Sequence, residues 1–302
     1  MPLSPPRPRM PQLNSLRAFE AAARHSSIAV AANELHVTPA AVAQQIKTLE
    51  AWAGDQLFKR NAKGVELTPL GAGVLDDFSQ AFDALAAAVQ KLHVSANPKE
   101  VRIAALPSIA QLWVSPRLPA IRRKMPDVSI SVTALEKAPN MKREPYDLSI
   151  FYNHQPDKNN EEIIDQDILI PVCTPSIAKR IRQVADLKQE TFLHDSTWND
   201  DWATWLSVAS PDRNLNKSGP EFSLYSLALE ECKNGAGILI GHEALIRQQV
   251  ESGQLVMPIP IKVELSRFMT FKTRVPVSDE VTFGKVVRML KSQQQKMKNN
   301  IA

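Results

Sequence analysis

The chain has 302 residues, and its 36 Lys and Arg against 32 Asp and Glu leave a net charge of +4 at pH 7. This length suggests about two domains, and an apolar fraction of 44% is ordinary for a globular protein. The two cysteines, Cys173 and Cys232, exclude a disulfide framework and a four-thiolate zinc site, and no apolar run approaches the roughly 18 residues of a membrane span.

Residues 1–12 contain five prolines and lack the apolar stretch of a secretory signal. This composition predicts a disordered lead-in. With few cysteines and no export signal, the expected location is a reducing cytoplasm, without membrane contact.

Three short helices are predicted within residues 14–54, because apolar residues recur there at helical spacing. The three stripes are Leu16, Phe19 and Ala23, then Ile28, Ala31, Ala32 and Leu35, and then Val42, Ile46, Leu49 and Ala53. Ser26 and Ser27 are candidate caps of the second helix, and Thr38 followed by Pro39 supplies the cap of the third. Only two residues separate the second helix from Thr38, so the pattern predicts a helix-turn-helix unit.

The outer face of the third helix carries side chains suited to the major groove of DNA. They are Ala41, Gln44, Gln45 and Thr48. A glutamine amide pairs bidentately with the N6/N7 edge of adenine, and small neighbours allow close approach. Two strand-like runs on either side of residues 62–64 predict a two-stranded wing, whose Lys59, Arg60 and Lys63 neutralise phosphates. Residues 1–75 hold eight Lys or Arg against five Asp or Glu, so most of the positive excess lies in this quarter.

A long helix with a heptad seam is predicted over residues 70–92. Its apolar residues, spaced alternately by three and four positions, are Leu75, Phe78, Phe82, Leu85, Val89 and Leu92. Such a seam is typical of a helix that pairs with a second copy, so these residues form the expected dimerisation surface. The alternative is a single amphipathic helix packed on its own domain.

From residue 101 onward, strand-like and helical runs alternate. The strand-like runs are 101–106, 128–133, 148–152, 168–173, 238–240 and 263–271. The helical candidates are 109–125, 175–184, 200–208, 226–234, 242–251 and 279–296. The alternation predicts an α/β domain with mostly parallel strands. Within it, Trp202 and Trp205 indicate core packing, and the alternative is a base-stacking platform shared with Trp198.

Residue types that serve in catalysis and metal binding occur without the spacing that those functions need. His194, Asp195 and Ser196 are consecutive, so they cannot together form a catalytic triad, and no G-x-S-x-G motif exists. The six histidines form no H-x-x-x-H pair, and the run Gly235-Ala236-Gly237 precedes a strand instead of following one. We therefore expect no enzyme activity, no metal site and no cofactor.

Residues 13–92 resemble the DNA-binding module of the LysR-type transcriptional regulators. The matching residues are Leu16-Arg17-Ala18-Phe19, the run from Ala31 to Pro39, Gln44-Gln45-Ile46, Leu49-Glu50, Leu57-Phe58, Arg60, Leu67-Thr68 and Gly71. The rest resembles the effector domain of the glycine-cleavage-activator-like subgroup. That resemblance rests on Pro116-Arg117-Leu118, Pro171-Val172-Cys173, Leu193-His194-Asp195, Trp202, Trp205 and Gly235-Ala236-Gly237-Ile238. It implies an N-terminal all-α winged helix-turn-helix with a long linker helix, and an α/β two-lobed effector domain like a periplasmic binding protein.

The resemblance also implies roles in DNA binding for individual residues. Those that would face the major groove are Thr38, Pro39, Ala41, Gln44 and Gln45. Arg60 would enter the flanking minor groove, and Thr68, at the start of the linker helix, would hold a phosphate. Ala43 stands where relatives often have serine, so one hydrogen bond to DNA is absent.

A small-molecule site in the cleft between the lobes is implied as well. Ser108 is the first candidate for holding an anionic group, and a plain helix cap is the alternative. Tyr152, Thr174 and Tyr225 are further lining candidates, and the effector is expected to be an amino acid or another small carboxylate. Residues 134–145 carry two prolines where relatives have a short helix. This departure motivates the alternative of an effector-independent repressor or activator with a degenerate pocket.

The expected domains are a lead-in at 1–12, a DNA-binding domain at 13–69, a linker and dimerisation helix at 70–95 and an effector domain at 96–302. The expected function is sequence-specific, effector-controlled regulation of transcription by a homodimer or homotetramer on an interrupted inverted repeat of double-stranded DNA. Bending of that DNA would alter the access of RNA polymerase. A solute-binding protein or enzyme with an incidental helical head is the more distant alternative.

Overall fold

The computed structural model describes residues 10–61, 64–157, 161–210, 218–274 and 282–299, with the backbone alone at residues 60, 61 and 293–299. The chain divides into two compact units, Met1–Lys91 and Leu92–Ala302. Lys63, a predicted phosphate contact, lies outside the described residues. Within the described ranges, no helix has both the length and the apolar character that a bilayer crossing requires.

The first unit contains three short helices, a hairpin and most of a long helix. These elements are α1 (Leu13–His25), α2 (Ile28–Leu35), α3 (Pro39–Ala53), β1 (Phe58–Asn61), β2 (Gly64–Leu67) and α4 (Pro69–Ala96). The two strands are antiparallel, with Phe58 opposite Leu67. The three helices, the wing and the long helix predicted from the sequence are therefore confirmed.

The turns between the helices follow the predicted capping chemistry, with one correction. Ser27 caps α2 and Thr38 caps α3, each accepting a hydrogen bond from the backbone N–H three residues on, at 3.3 and 3.2 Å. Pro39 occupies the first turn of α3, where its missing N–H costs nothing. Ser26 does not cap α2; it ends α1 in a left-handed conformation with φ of 50°.

Phe19 lies at the centre of the core of the first unit. It is fully buried, and its ring centroid is 5.5 Å from that of Phe58 on the wing and 5.8 Å from that of Phe78 on α4. The inward face of α3 completes this core with Val42, Ile46 and Leu49, all buried as predicted. The packing fixes α3 in the unit and leaves its opposite face to solvent.

The predicted heptad seam divides into two parts along α4. The first three seam residues are partly buried against the core of the first unit: Leu75, Phe78 and Phe82. The last three are 45%, 55% and 72% exposed: Leu85, Val89 and Leu92. The alternative of a helix packed on its own domain is thus confirmed for the first half of the seam. The second half is an uncovered apolar stripe.

The second unit is an eight-stranded sheet covered by helices. Its strands are β3 (Glu100–Ala105), β4 (Ser129–Ala134), β5 (Leu148–Asn153), β6 (Glu161–Val172), β7 (Phe192–Asp195), β8 (Glu221–Phe222), β9 (Ile238–His242) and β10 (Val263–Thr273). Its helices are α5 (Pro107–Ile109), α6 (Leu118–Lys124), α7 (Pro175–Ala178), α8 (Asp201–Ala209), α9 (Tyr225–Lys233), α10 (Glu243–Glu251) and α11 (Thr282–Asn299). The strand order is β4-β3-β5-β10-β6-β9-β7-β8.

Two parallel groups of strands, β4-β3-β5 and β9-β7-β8, form the two lobes of this unit. The long strands β6 and β10 join the lobes and are antiparallel to each other and to their neighbours β9 and β5. The prediction of mostly parallel strands is therefore wrong for these two. The pairing of β10 with β6 is interrupted between Glu264 and Phe268, so residues 265–267 form a bulge at the join.

The helices of the second unit are less regular than the sequence predicted. The span 109–125 consists of the end of α5, a π-helical turn Ala110–Val114, a 3-10 turn Ser115–Arg117 and α6. The span 175–184 contains only the single turn α7. Strands β7 and β8 were not predicted, because they are short. Residues 134–145 contain no helix, as predicted, and Trp202 and Trp205 are buried in the core.

Candidate nucleic-acid interface and ligand cleft

The outward face of α3 presents nearly all of the residues predicted to read bases. The fully exposed ones are Thr38, Pro39, Ala41, Gln44 and Thr48. The Thr48 hydroxyl donates to the backbone oxygen of Gln44 at 3.0 Å, and the Gln44 side chain is exposed. A capped helix with one anchored face and one polar face has the geometry of a major-groove reading helix.

Gln45 differs from the other predicted base contacts. It is half-buried, and its Oε1 accepts a 2.7 Å hydrogen bond from the hydroxyl of Ser15, a residue of α1 with 0% exposure. The bidentate adenine contact predicted for Gln45 needs both the oxygen and the nitrogen of the amide. Ser15 fixes the orientation of the amide and occupies one of the two acceptor sites of its oxygen, so Nε2 is the part of the amide that is left wholly available to a base.

The wing brings basic residues to the edge of the first unit. Lys59 is exposed on β1, opposite Glu66 of β2. Arg60 follows it on β1 with its backbone paired to Val65. Both residues therefore lie on the hairpin where the sequence predicted the phosphate and minor-groove contacts.

Thr68 does not offer the phosphate contact expected of it. It is buried, its hydroxyl donates to the backbone oxygen of Gln56 at 2.8 Å, and its Oγ1 accepts from the N–H of Gly71 at 3.1 Å. A hydroxyl has one hydrogen, so none remains for a phosphate oxygen. In this structure Thr68 caps α4 and ties it to the chain before β1.

Ser108 lines a small cavity between the two lobes. The cavity has a volume of about 10 Å³, enough for roughly one water molecule. Its walls come from both lobes and comprise Leu106, Pro107, Ser108, Glu136, Thr197, Trp198, Leu224 and Tyr225. Ser108 is 6% exposed, and its hydroxyl has no hydrogen-bond partner among the described residues. The predicted alternative of a plain helix cap is therefore not what this hydroxyl does.

The two tyrosines predicted to line the cleft have different environments. Tyr225 lines the cavity, and its hydroxyl donates to the backbone oxygen of Ile240 at 3.3 Å and accepts from the N–H of His242 at 3.2 Å. The Tyr152 hydroxyl is buried and, within the described part of the chain, unpartnered. Burial, with a smaller contribution from Asp167, raises the pKa of Tyr152, so this hydroxyl keeps its proton.

The prediction that Thr174 lines the cleft is wrong. His242, at the cleft end of β9, pairs with Leu169 of the antiparallel strand β6. Thr174 follows five residues later, roughly 16 Å further along at about 3.3 Å per residue, at the opposite end of the sheet. The sequence prediction assumed a parallel strand, which would end at the cleft. The Thr174 hydroxyl instead contacts Ser176 at 2.9 Å.

An ionic cluster that the sequence did not predict lies beside the cavity: Asp167, Asp201, His242 and Arg267. The fully buried His242 stands between two carboxylates, with Nδ1 2.8 Å from Oδ1 of Asp167 and Nε2 3.0 Å from Oδ2 of Asp201. Arg267, in the β10 bulge, donates from Nε to Oδ2 of Asp167 at 2.6 Å. The cluster thus joins β6, α8, β9 and β10. In sequence its members stand apart on four elements, and no spacing pattern connects them.

His242 carries a positive charge at neutral pH. Burial opposes this charge, but Asp167 and Asp201 outweigh burial and raise the pKa of His242 to about 9. Burial likewise opposes ionisation of Asp167, yet His242 and Arg267 hold the pKa of that carboxyl below its ordinary value. Two positive and two negative charges therefore balance within the cluster.

Trp198 covers the ionic cluster. Its ring centroid lies 3.8 Å from that of His242, 5.1 Å from that of Tyr225 and 5.9 Å from that of Tyr152. The Arg267 guanidinium is 5.6 Å from the Trp198 ring and 5.4 Å from the Tyr152 ring, within cation–π range. On its outer side Trp198 lines a polar groove of about 210 Å³, together with His154, Thr197, Asn199, Asp200, Asp201, Thr204, Leu265, Ser266 and Arg267.

In the second unit, residue types that could serve catalysis or metal binding have structural roles instead. Asp195 accepts hydrogen bonds from the backbone N–H groups of Thr197 and Trp198, at 2.9 and 3.0 Å, and so forms the turn after β7. Burial raises the pKa of the Cys173 and Cys232 thiols to about 12, which keeps both unreactive near neutral pH. In the described part of the chain, no three His, Cys, Asp or Glu side chains group as metal ligands would.

Comparison with known sequences gives two findings. The profile of the bacterial regulatory helix-turn-helix proteins of the lysR family matches residues 13–72, and that of the LysR substrate binding domain matches residues 96–273. The glycine cleavage system transcriptional activator of Escherichia coli strain K12 is 32% identical over 255 residues, 83% of each chain. The two profiles together account for both units.

Comparison with solved structures supports the same fold. The effector domain of the transcriptional regulator AmpR of Pseudomonas aeruginosa matches with a TM-score of 0.52 at 17% identity, over 68% of this chain and 99% of that one. ArgP from Mycobacterium tuberculosis matches with a TM-score of 0.53 at 16% identity, over 94% of this chain and 97% of that one. The second match includes the helix-turn-helix unit as well as the sheet.

Proposed function

The chain belongs to the LysR family of bacterial regulators, which bind DNA and respond to small-molecule effectors, and we propose which parts of the molecule carry each task. The DNA-binding domain is assigned to residues 13–69, the linker to 70–95 and the effector domain to 96–302. The observation that carries the proposal is α3, capped by Thr38 and anchored on one face, with Gln44 exposed on the other. The relatives are named transcriptional regulators, and we assign no enzyme activity to this chain.

DNA is proposed to be read by α3 and held by the wing. Thr38, Pro39 and Ala41 allow close approach at the start of α3, Gln44 contacts a base edge, and Gln45 donates through its amide nitrogen. The Thr48 hydroxyl, one helical turn further on, donates to the backbone oxygen of Gln44. Lys59, Arg60 and Lys63 supply sequence-independent contacts to phosphates and to the flanking minor groove. Such a division separates affinity, which the wing provides, from sequence preference, which α3 provides.

Dimerisation is assigned to the exposed part of α4. Leu85, Val89 and Leu92 continue the heptad spacing but are uncovered, and a second copy of the same helix would bury them. Two heads held in this way fit two half-sites of an interrupted inverted repeat, with centres about one helical turn apart. A pair of such dimers would form a homotetramer that bends the DNA between its sites.

The effector is proposed to bind between the lobes, next to Ser108 and Tyr225. A ligand there changes the angle of the lobes, because β6 and β10 connect them. The change then alters the arrangement of the DNA-binding heads and the access of RNA polymerase to the promoter. A coupling of about 1–3 kcal/mol between the two sites is sufficient for such regulation. Regulation of the chromosome in this way requires the cytoplasm as its location.

Capture of genomic DNA tests the proposal. The purified full-length chain is incubated with sheared DNA of its own genome at moderate salt, and the retained fragments are sequenced. We expect a few loci to be enriched, each containing an inverted repeat. Uniform retention of all fragments would mean that the chain binds DNA only through charge.

A further inference from the structure

Three residues of the cleft carry buried donor atoms that have no hydrogen-bond partner among the described residues. These atoms are Ser108 Oγ, Tyr152 Oη and Arg267 Nη2. Buried polar groups are almost always paired, because an unmade bond costs the full desolvation of the group. Within the described part of the chain, Arg267 Nη2 has only a long ion-pair contact, 3.8 Å from Oδ1 of Asp201. Three donors without a hydrogen bond in one region therefore indicate a partner that comes from outside the chain.

The three donors lie at the same edge of the sheet. Ser108 follows the end of β3, and Tyr152 is the last but one residue of the neighbouring parallel strand β5; Ala105 pairs with Ile150 at this edge. Arg267 reaches the same edge from the β10 bulge, and its guanidinium lies 5.4 Å from the Tyr152 ring. Bulges commonly direct a side chain into a functional site in this way.

The indole of Trp198 stands between the cavity at Ser108 and the groove at Arg267. Trp198 and Thr197 are the residues that line both spaces. Movement of the indole would therefore join the cavity of about 10 Å³ and the groove of about 210 Å³ into one site. In the present arrangement the indole is part of the shared wall of these two spaces.

Trp198 is held less firmly than the other tryptophans of its lobe. The indole N–H groups of Trp202 and Trp205 donate to backbone oxygens at 2.9 and 3.0 Å. Within the described residues, the indole N–H of Trp198 makes no hydrogen bond, and the side chain is only half-buried. Ring contacts alone hold the indole of Trp198, so displacement of the indole breaks no hydrogen bond.

The chemistry of the site selects the class of ligand. The guanidinium of Arg267 can only donate, and the hydroxyls of Ser108 and Tyr152 can donate as well as accept, so acceptor oxygens on a ligand satisfy all three. Among acceptor groups, a carboxylate makes the strongest hydrogen bonds to a guanidinium. We propose that Trp198 closes a binding site for a small carboxylate, which on binding displaces the indole and accepts hydrogen bonds from Ser108, Tyr152 and Arg267. This inference rests on the effector site proposed above.

Titration of the full-length chain with simple carboxylates tests this inference. Acetate and propionate are compared with acetamide and propionamide by calorimetry and tryptophan fluorescence. We expect the carboxylates to bind and the amides to bind at least about tenfold more weakly, since a charged acceptor is roughly twice as strong as a neutral one. Binding should change the fluorescence of the wild type, while Trp198→Phe should bind without that change.

Three variants each remove one of these donors: Ser108→Ala, Tyr152→Phe and Arg267→Lys. The first two remove no existing hydrogen bond, whereas Arg267→Lys keeps the positive charge but also removes the Nε–H bond to Asp167. Each should weaken acetate binding by about tenfold, which is the contribution of a hydrogen bond to a charged group. Ser196→Ala, which removes an exposed hydroxyl from the same loop as Trp198, is the matched control and should bind acetate as the wild type does.

The inference is overturned if amides bind as tightly as carboxylates, or if all three variants retain wild-type affinity. It is also overturned if neither the wild type nor Trp198→Ala, which has no indole to displace, binds acetate or propionate. Enrichment of genomic fragments by the same preparations separates these outcomes from a failure of the proposed function. A chain that selects DNA but ignores carboxylates loses only this inference.

Discussion

The hydroxyl of Ser15 on α1 donates a 2.7 Å hydrogen bond to Oε1 of Gln45 on α3. This bond joins the buried side of α1 to the outward side of α3. It orients an amide whose nitrogen remains free, since Nε2 of Gln45 has no partner among the described residues. We therefore expect the buried Ser15 to determine how Gln45 contacts a base.

Removal of that hydroxyl should change base preference. In Ser15→Ala the Gln45 amide is free to rotate and both acceptor sites of its oxygen are available, so the bidentate contact with adenine becomes more favourable. Selection from random duplexes by both proteins should reveal a shift toward adenine at one position per half-site, by about 1 kcal/mol. Gln45→Ala, as the control, should lose preference at the same position. An identical selected motif for Ser15→Ala and wild type would rule out this positioning role.

The linker offers a second prediction. Val89 is 55% exposed, and an aspartate there should prevent a second α4 from packing against it. Sedimentation should therefore give monomers for Val89→Asp, with the thermal midpoint of the head unchanged. Phe82→Asp should lower that midpoint as well, because Phe82 packs on the head's own core. A dimeric Val89→Asp would argue against assembly through this stripe.

The ionic cluster predicts how stability depends on pH. Asp167 and Asp201 raise the pKa of His242 from 6.5 to about 9, so the charged imidazole contributes fully below pH 6.5. This contribution to the free energy of unfolding is of order 3 kcal/mol, at about 1.4 kcal/mol per pKa unit. It is lost as pH rises through 9. The midpoint of thermal unfolding should thus fall between pH 6.5 and 9. His242→Gln should flatten this dependence, and an equally steep fall in the variant would assign it to other groups.

The unpaired hydroxyls predict an unusual order of stabilities. Ser108→Ala removes a buried group without a hydrogen-bond partner. The free energy of unfolding of this variant should equal that of the wild type or exceed it by up to about 1 kcal/mol. Thr68→Val removes a hydroxyl that has two partners and caps α4, and should lower the free energy of unfolding by about 1–2 kcal/mol. Denaturant unfolding measures both. The reverse order would mean that the Ser108 hydroxyl is satisfied in solution.

Local chemistry explains why the first unit could be predicted well from the sequence. The stripes of α1, α2 and α3 and the caps Ser27 and Thr38 act over a few residues, so their signals are complete within a short window. The wing followed from the same kind of pattern. The hydrogen bond that orients Gln45 could not be predicted, because its partner Ser15 lies thirty residues away, on another helix.

The second unit was predicted less well, because its architecture depends on pairings between distant strands. An apolar run indicates a strand but not its direction, so β6 was taken as parallel and Thr174 was assigned to the wrong end of the sheet. The ionic cluster could not be found from sequence. Asp167 and His242 are 75 positions apart, and only the pairing of β6 with β9 brings them together.

Base reading by α3 is tested most directly by comparing Gln44→Ala and Lys59→Ala with the full-length wild type. Affinities are measured for the best genomic site and for random DNA of equal length at one salt concentration. Gln44→Ala should weaken binding to the site by about 1–3 kcal/mol more than binding to random DNA, whereas Lys59→Ala should weaken both alike. Equal losses on both DNAs for Gln44→Ala would contradict base reading by α3.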